Sequence, residues 1–123
     1  MATYHEPINL QDLLLHEIHP PWSRDKKPLL EGNVCVMGEV FSLVDGKYRP
    51  FDPAGAGDAG IAHSVSTEAV DATDEDKPVV ATARGAMLDV DQLVWPDGIT
   101  EVQKAAALVQ LDARGIKTVT TLS

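Results

Sequence analysis

The 123-residue sequence predicts an α+β fold, rich in β-structure. It reads as one small domain of short strands with a capped C-terminal helix and a terminal strand, preceded by an N-terminal arm. Three observations predict it. Short apolar, β-branched runs separated by turn residues fill the centre of the chain. One segment near the end has helical spacing between defined start and stop signals. The first part of the chain, punctuated by Pro7, Pro20, Pro21 and Pro28, shares neither pattern. The expected division is an arm over 1–31 and a β-rich body over 32–123.

In the arm, Ile8, Leu10, Leu13, Leu14, Leu15 and Ile18 form an apolar cluster. Asn9 suits an N-cap and Pro20-Pro21 removes backbone donors, so one short helix over Asn9–Ile18 is one reading. An extended arm is the other, and both stay open, as does whether the segment docks on its own domain or on a neighbour. Arg24-Asp-Lys-Lys27 reads as a charged break. The body begins with strands over Val34–Met37 and Glu39–Val44, with Gly38 as a bulge or bend between them. Asp45-Gly46 is a strong hairpin signal leading into Lys47–Phe51. Asp52–Gly60 reads as a loop, Ile61–Val65 as a short strand and Thr67–Pro78 as an acidic connection. Val79–Leu88 reads as one long strand bent near Gly85.

The helix is the best specified element. Thr100 with Gln103 makes a capping box, which satisfies orphan amide donors and contributes about 1 kcal/mol. Val102, Ala105, Ala106 and Val109 recur at helical spacing, with Leu108 and Leu111 widening the apolar face. Gly115 sits where a helix ends in a left-handed residue, and Arg114 complements the dipole. Ile116–Leu122 then alternates with strand period.

Composition excludes several functions. Ten Lys and Arg against 19 Asp and Glu give a net charge of −9. Nucleic-acid affinity rests mostly on neutralising phosphates, and anionic membranes select the same basic surfaces, so neither partner is expected. No apolar run approaches the roughly 20 residues that span a bilayer. The start lacks the basic and apolar regions of a signal peptide, and Cys35 is the only cysteine, which fits cytoplasmic synthesis.

Candidate chemistry fails on geometry. Gly55-Ala-Gly-Asp-Ala-Gly60 spells a dinucleotide fingerprint, but that motif needs a helix starting at it, and a strand pattern follows. His16 and His19 with Cys35 or His5 lack zinc-site spacing. Asp71–Asp76 misses the calcium-loop register. His63-Ser64 lacks the elbow that exposes a nucleophile, and in a strand the two would face opposite ways. No cofactor, no metal and no enzyme activity are expected. Trp95-Pro96 carries no reactive group. It reads as a rigid corner or a subunit-interface anchor.

With these residues in view, the chain from about Gly46 to Gly115 resembles the lambda-type head decoration proteins of tailed bacteriophages. The resemblance rests on features in order: Gly46–Asp52, Ala59-Gly-Ile-Ala62, Val70-Asp-Ala-Thr73, Arg84-Gly85, Leu93-Val-Trp-Pro96 and Ala113-Arg-Gly-Ile116. It implies a β-rich, non-catalytic homotrimer on the outer surface of the expanded head, at three-fold and quasi-three-fold positions. There it would bind the major capsid protein and cement the shell against packaged DNA. It also implies an arm that is disordered in solution and orders on the capsid by strand addition. The arm residues expected to make that contact are Tyr4, Ile8, Leu10, Leu13, Leu14, Leu15, Ile18 and Trp22. Leu93, Trp95 and Pro96 are expected to anchor the trimer or the body. The alternative is a small β-rich ligand-binding module, for example for host-surface carbohydrate. Sparse aromatics give such a site little to build on.

Overall fold

Residues 14–17 and 20–119 are described by the structure, a computed structural model, with side chains for Glu17 and for residues 22–119. The strands are β1 (Leu14–Glu17), β2 (Arg24–Leu29), β3 (Asn33–Cys35), β4 (Val40–Val44), β5 (Lys47–Pro50), β6 (Ser64–Ser66), β7 (Val70–Ala72), β8 (Lys77–Thr82), β9 (Ala86–Asp89) and β10 (Ile116–Val119). The helices are the single turn α1 (Pro20–Ser23) and the long α2 (Glu101–Ala113), with 3₁₀ turns at Gly57–Gly60 and Val90–Gln92.

The Asp45-Gly46 hairpin forms as the sequence predicts. Both residues have positive φ, 53° and 80°, and Val44 pairs with Lys47 across the turn. That combination matches the right-handed twist of the flanking strands. From this hairpin the sheet closes on itself in the order β2-β5-β4-β6-β8, making a five-stranded barrel. Closure removes the unpaired edges that an open sheet would present. Inside lie Leu29, Phe41, Tyr48, Val79 and Ala81, with Phe41 and Tyr48 stacked at 5.1 Å. The ribbon β3–β7 adds Cys35 and Ala72 to this core.

A second core lies outside the barrel wall. Val40 and Val65 point outward from β4 and β6 to meet Leu88 of β9, Ala107 and Leu111 of α2, and Ile116 of β10. Here β9 is the middle strand of a three-stranded sheet, antiparallel to β1 and parallel to β10. The helix starts at the predicted capping box, with both reciprocal bonds of Thr100 and Gln103 present. Gly115 follows it at φ 85°.

Several expectations change. Leu14–Glu17 is a strand paired to β9, so a helix over Asn9–Ile18 does not hold there. Its remaining residues lie outside the described ones. Arg24-Asp-Lys-Lys27, expected as a charged break in the arm, lies in the barrel strand Arg24–Leu29, which pairs along its whole length with β8. Long basic side chains can run their stems along a strand surface while the charges stay wet, so charge hid a strand. Pro28 faces Pro78 across this pair. Neither proline has an N–H to exchange, so the two occupy a position that needs none.

The acidic connection Thr67–Pro78 contains β7 and the start of β8. The strand expected over Val79–Leu88 is two strands in different sheets. The Ala83 and Arg84 amides donate to the Ser23 carbonyl at 2.8 and 3.3 Å, and Gly85 turns at φ 60°. The strand expected at Ile61–Val65 begins only at Ser64, and Ile61 is exposed. On α2 the buried face is Ala107 and Leu111, whereas Val102 and Val109, expected to face inward, are 80% and 69% exposed. The turn at Gly115 delivers Ile116 straight into the core, and that anchor sets the helix rotation.

Candidate functional site

Strand directions decide at which end of the body β1 begins and β10 ends. Leu14 pairs with Leu88 in antiparallel sense, while Val119 pairs with Asp89 in parallel sense. Leu14, where β1 begins, and Val119, where β10 ends, therefore both lie at the Asp89 end of one small sheet. Immediately beyond Asp89 comes the 3₁₀ turn Val90–Gln92, capped by the Asp89 carboxylate, which accepts from the Asp91 amide at 3.0 Å. Leu93, Val94 and Trp95 follow.

Leu93 is buried in the second core, 7% exposed. Val94 bridges to the start of β4: its amide donates to the Gly38 carbonyl at 2.8 Å, and its carbonyl accepts from Val40 at 3.2 Å. Gly38 must be glycine, since a Cβ there would lie 2.5 Å from the Gln92 carbonyl oxygen. Trp95 is half-buried and meets Phe51 edge to face at 6.5 Å. It separates two grooves. One runs past Glu39, Pro50, Phe51 and Pro96. The other, about 280 Å³, lies between Val90, Asp91 and the α2 residues Lys104, Ala105 and Leu108. Burial raises the Glu39 carboxyl above its ordinary range, partly offset by a hydrogen bond from the Val36 amide.

Leu93, Trp95 and Pro96 are thus brought together. The predicted arm residues are not gathered in the same way. Tyr4, Ile8, Leu10, Leu13 and Ile18 lie outside the described residues, and Leu14 and Leu15 contribute the backbone of β1. Trp22 lies near Gly85, at the opposite end of β9 from Asp89. It is 51% exposed, with the Arg84 guanidinium 5.8 Å from its ring centroid. The ring lies directly against Gly85. Arg84 also donates to the Trp22 carbonyl and pairs in a fork with Asp25 at 2.5 and 3.0 Å. Arg24 makes a second fork with Glu17, at 2.6 and 2.8 Å. These clamps fix the root of the N-terminal segment to the barrel. Arg84 and Asp25 were not singled out in the sequence, because fork geometry joins residues 59 apart.

The sequence pattern predicts an inward face for the apolar stripe on α2, and the structure turns it outward. Val102, Ala105, Ala106 and Val109 form one uncharged face, and all four are exposed. Scattered surface apolars are ordinary, but a contiguous stripe marks a contact surface.

The remaining chemistry is structural. His63 Nδ1 lies 2.5 Å from Ser64 Oγ, correcting the expectation that the two point apart. His63 precedes β6 and is not in a strand, so strand alternation does not apply. Burial, then the cations Arg114, Lys27 and Arg84, push the imidazole down to about 4 despite Asp25. Ser64 is fully buried beside the Tyr48 hydroxyl at 3.4 Å, out of reach of a substrate. Burial also raises the Cys35 thiol, the opposite of an activated nucleophile.

In the acidic stretch, Asp71 accepts from Thr73 at 2.9 and 2.5 Å, and Asp76 pairs with Lys47 at 2.6 Å. Among the described residues no three His, Cys, Asp or Glu groups cluster for a metal. The side chains of His5, His16 and His19 lie outside them. The glycine-rich loop closes on itself: the Ser42 hydroxyl lies 2.9 and 2.7 Å from the Ala59 and Ile61 carbonyls and can donate its one proton to either, and Gly60 packs on the Gly55 carbonyl. These glycines serve loop packing, and the strand β6 comes next instead of a helix.

A search of curated proteins finds no match to the chain. The family model of bacteriophage lambda head decoration protein D matches residues 3–116, from within the N-terminal segment to the first residue of β10. A β-rich body with one capped helix, its catalytic decoys buried or used structurally, fits that match, and the chain belongs to the lambda head decoration protein D family.

Proposed function

We propose that the protein is a capsid cement. It acts as a homotrimer bound to the outside of the expanded phage head at three-fold and quasi-three-fold positions, where it stabilises the shell against internal DNA pressure. Its contacts are with the major capsid protein, and no catalysis is involved. One observation supports this most: β1 begins and β10 ends at the same end of the β1-β9-β10 sheet. That end can face the shell while the closed barrel stands away from it.

In a trimer three N-terminal segments engage at once, so weak individual contacts combine through effective concentration. Strand addition supplies backbone hydrogen bonds with little demand on side-chain sequence. The capsid contact is assigned to Tyr4, Ile8, Leu10, Leu13 and the backbone of Leu14 and Leu15. Trp22, exposed beside Gly85 at the opposite end of β9 from Asp89, lies away from that contact and is not assigned to it. Trp95 and Pro96 are assigned to contacts between protomers. Leu93 is an internal support, since its burial keeps it from a partner. A net charge of −9 suits a protein that must not compete for genomic DNA.

The test is co-sedimentation with undecorated expanded capsids. The full chain should pellet with them, and a chain lacking residues 1–13 should stay in the supernatant while keeping its native circular dichroism. The cut belongs before Leu14, because Leu14–Glu17 pairs with β9. Undiminished binding of the shortened chain contradicts the assignment of the contact to this segment.

A further inference from the structure

We infer that the groove between Glu39 and Trp95 receives an arginine side chain of a partner protein, its guanidinium on the Glu39 carboxylate and against the indole. The groove is about 220 Å³, below the roughly 300 Å³ at which drug-sized ligands begin, so it suits a single side chain. Its walls are rigid. Pro50 and Pro96 have fixed φ, and Phe51, 3% exposed, braces Trp95 edge to face at 6.5 Å. The Glu39 backbone is held on two sides: its carbonyl accepts from the Ser66 amide at 2.9 Å, and the residue bridges to Val94. Glu39 is half-buried, and one carboxylate oxygen accepts from the Val36 amide at 3.2 Å. Among the described residues no Lys or Arg pairs with it. Asp97 adds a second carboxylate at the exposed rim.

Donors and acceptors in the groove decide the ligand. Pro50 and Pro96 have no N–H, and the amides of Glu39, Val40, Phe51 and Val94 already donate within the chain. Among the described residues no basic one lines the groove. It therefore offers acceptors, negative charge and an aromatic face, and little to hold an anion or a sugar. A donor-rich cation fits. Arginine fits better than lysine, because its planar fork matches a carboxylate and stacks on an indole. Burial raises the Glu39 carboxyl above its ordinary range, and an adjoining guanidinium would bring it back down. A second copy of the chain is a poorer source of the cation. Two chains of net charge −9 repel, and Arg24, Lys47, Arg84, Lys104 and Lys117, half of the ten basic residues, are already in ion pairs. Trp95 lines a groove on each side, so a protomer can meet the α2 side while this one stays open. That the arginine belongs to the major capsid protein rests on the decoration reading, which turns the neighbouring Asp89 end toward the shell.

N-acetyl-arginine methylamide, titrated into the isotope-labelled full chain, tests the groove, with the citrulline analogue as its neutral isostere. The arginine compound should shift the Trp95 indole and Glu39 carboxyl signals saturably, lower the Glu39 titration midpoint and leave the Trp22 indole unmoved. The citrulline compound should do none of this. Glu39→Gln, whose amide oxygen can still accept from Val36, should weaken the arginine compound about fivefold. Equal responses to the two compounds, or binding unchanged by Glu39→Gln, overturn the inference. The same variant should lower affinity for undecorated expanded capsids about fivefold, whereas Asp74→Asn, exposed in the acidic stretch, should not. Unchanged capsid affinity in Glu39→Gln overturns the capsid assignment, as does an equal loss in Asp74→Asn, which would report net charge alone. Weaker self-association of Glu39→Gln with intact capsid affinity would also overturn it and assign the arginine to a second copy. If the unaltered protein never binds capsids, the decoration reading fails, and the arginine titration still decides whether the groove takes the guanidinium.

Discussion

A Cβ on Gly85 has nowhere to go. The Trp22 ring occupies that space, and Gly85 also holds a left-handed φ of 60°. Gly46 has a similar φ of 80° but open space around it. The pair separates backbone strain from packing. Gly46→Ala should cost about 1 kcal/mol, whereas Gly85→Ala should cost about 3 kcal/mol and shift Trp22 fluorescence. Equal costs in urea denaturation would mean that the Trp22 contact contributes nothing.

His63 gives a second prediction at this scale. Its folded pKa of about 4 lies below the ordinary 6.5, because burial and nearby Arg114, Lys27 and Arg84 disfavour the imidazolium. Below 6.5 the unfolded chain takes up a proton that the folded chain refuses. Stability should therefore be full above pH 6.5, fall between 6.5 and 4, and level off below. The loss from this residue is roughly 2 kcal/mol, allowing for partial solvent screening. His63→Gln should flatten that part of the pH–stability curve, and an imidazole titration midpoint near 6.5 would contradict the account. Residues whose role is local were legible in the sequence: Asp45-Gly46, Thr100 with Gln103, and Gly115. The His63–Ser64 contact was not, because it depends on where β6 begins.

At the scale of elements, β1 is short, carries a register irregularity between Leu14 and His16, and depends on its clamps. Glu17 is 8% exposed in its side chain and Arg24 31%, and a forked, partly buried pair is stronger than a surface one. Arg24→Ala should speed amide hydrogen exchange in β1 about tenfold, with little change in the barrel strands β4 and β8. Uniform acceleration would show instead that β1 and the barrel open as one unit. Element type was legible where pattern and punctuation agreed, as in β4, β5 and α2. It was hidden in β2, where Arg24, Asp25, Lys26 and Lys27 mask a barrel strand. The sequence predicts a bend at Gly85 and not a break, because a single sequence does not say that Ala83 and Arg84 donate to Ser23.

At the scale of the whole molecule, two cores divide the work. The barrel core makes a rigid body, while the second core fastens α2 and the β1-β9-β10 sheet to its wall. The family was legible because its marks lie at turns and helix ends, from Gly46–Asp52 to Ala113-Arg-Gly-Ile116, where backbone geometry restricts the choice of residue. The surface that acts was harder to read. A helix stripe looks the same in sequence whether it faces a core or a partner, and it is the burial of Ala107 and Leu111 in the second core that turns Val102 and Val109 outward. The decisive measurement is imaging of undecorated expanded capsids after mixing with the protein. Added density is expected at the three-fold and quasi-three-fold positions, with the Asp89 end of the sheet toward the shell. Bare capsids at saturating protein concentration would contradict the decoration role.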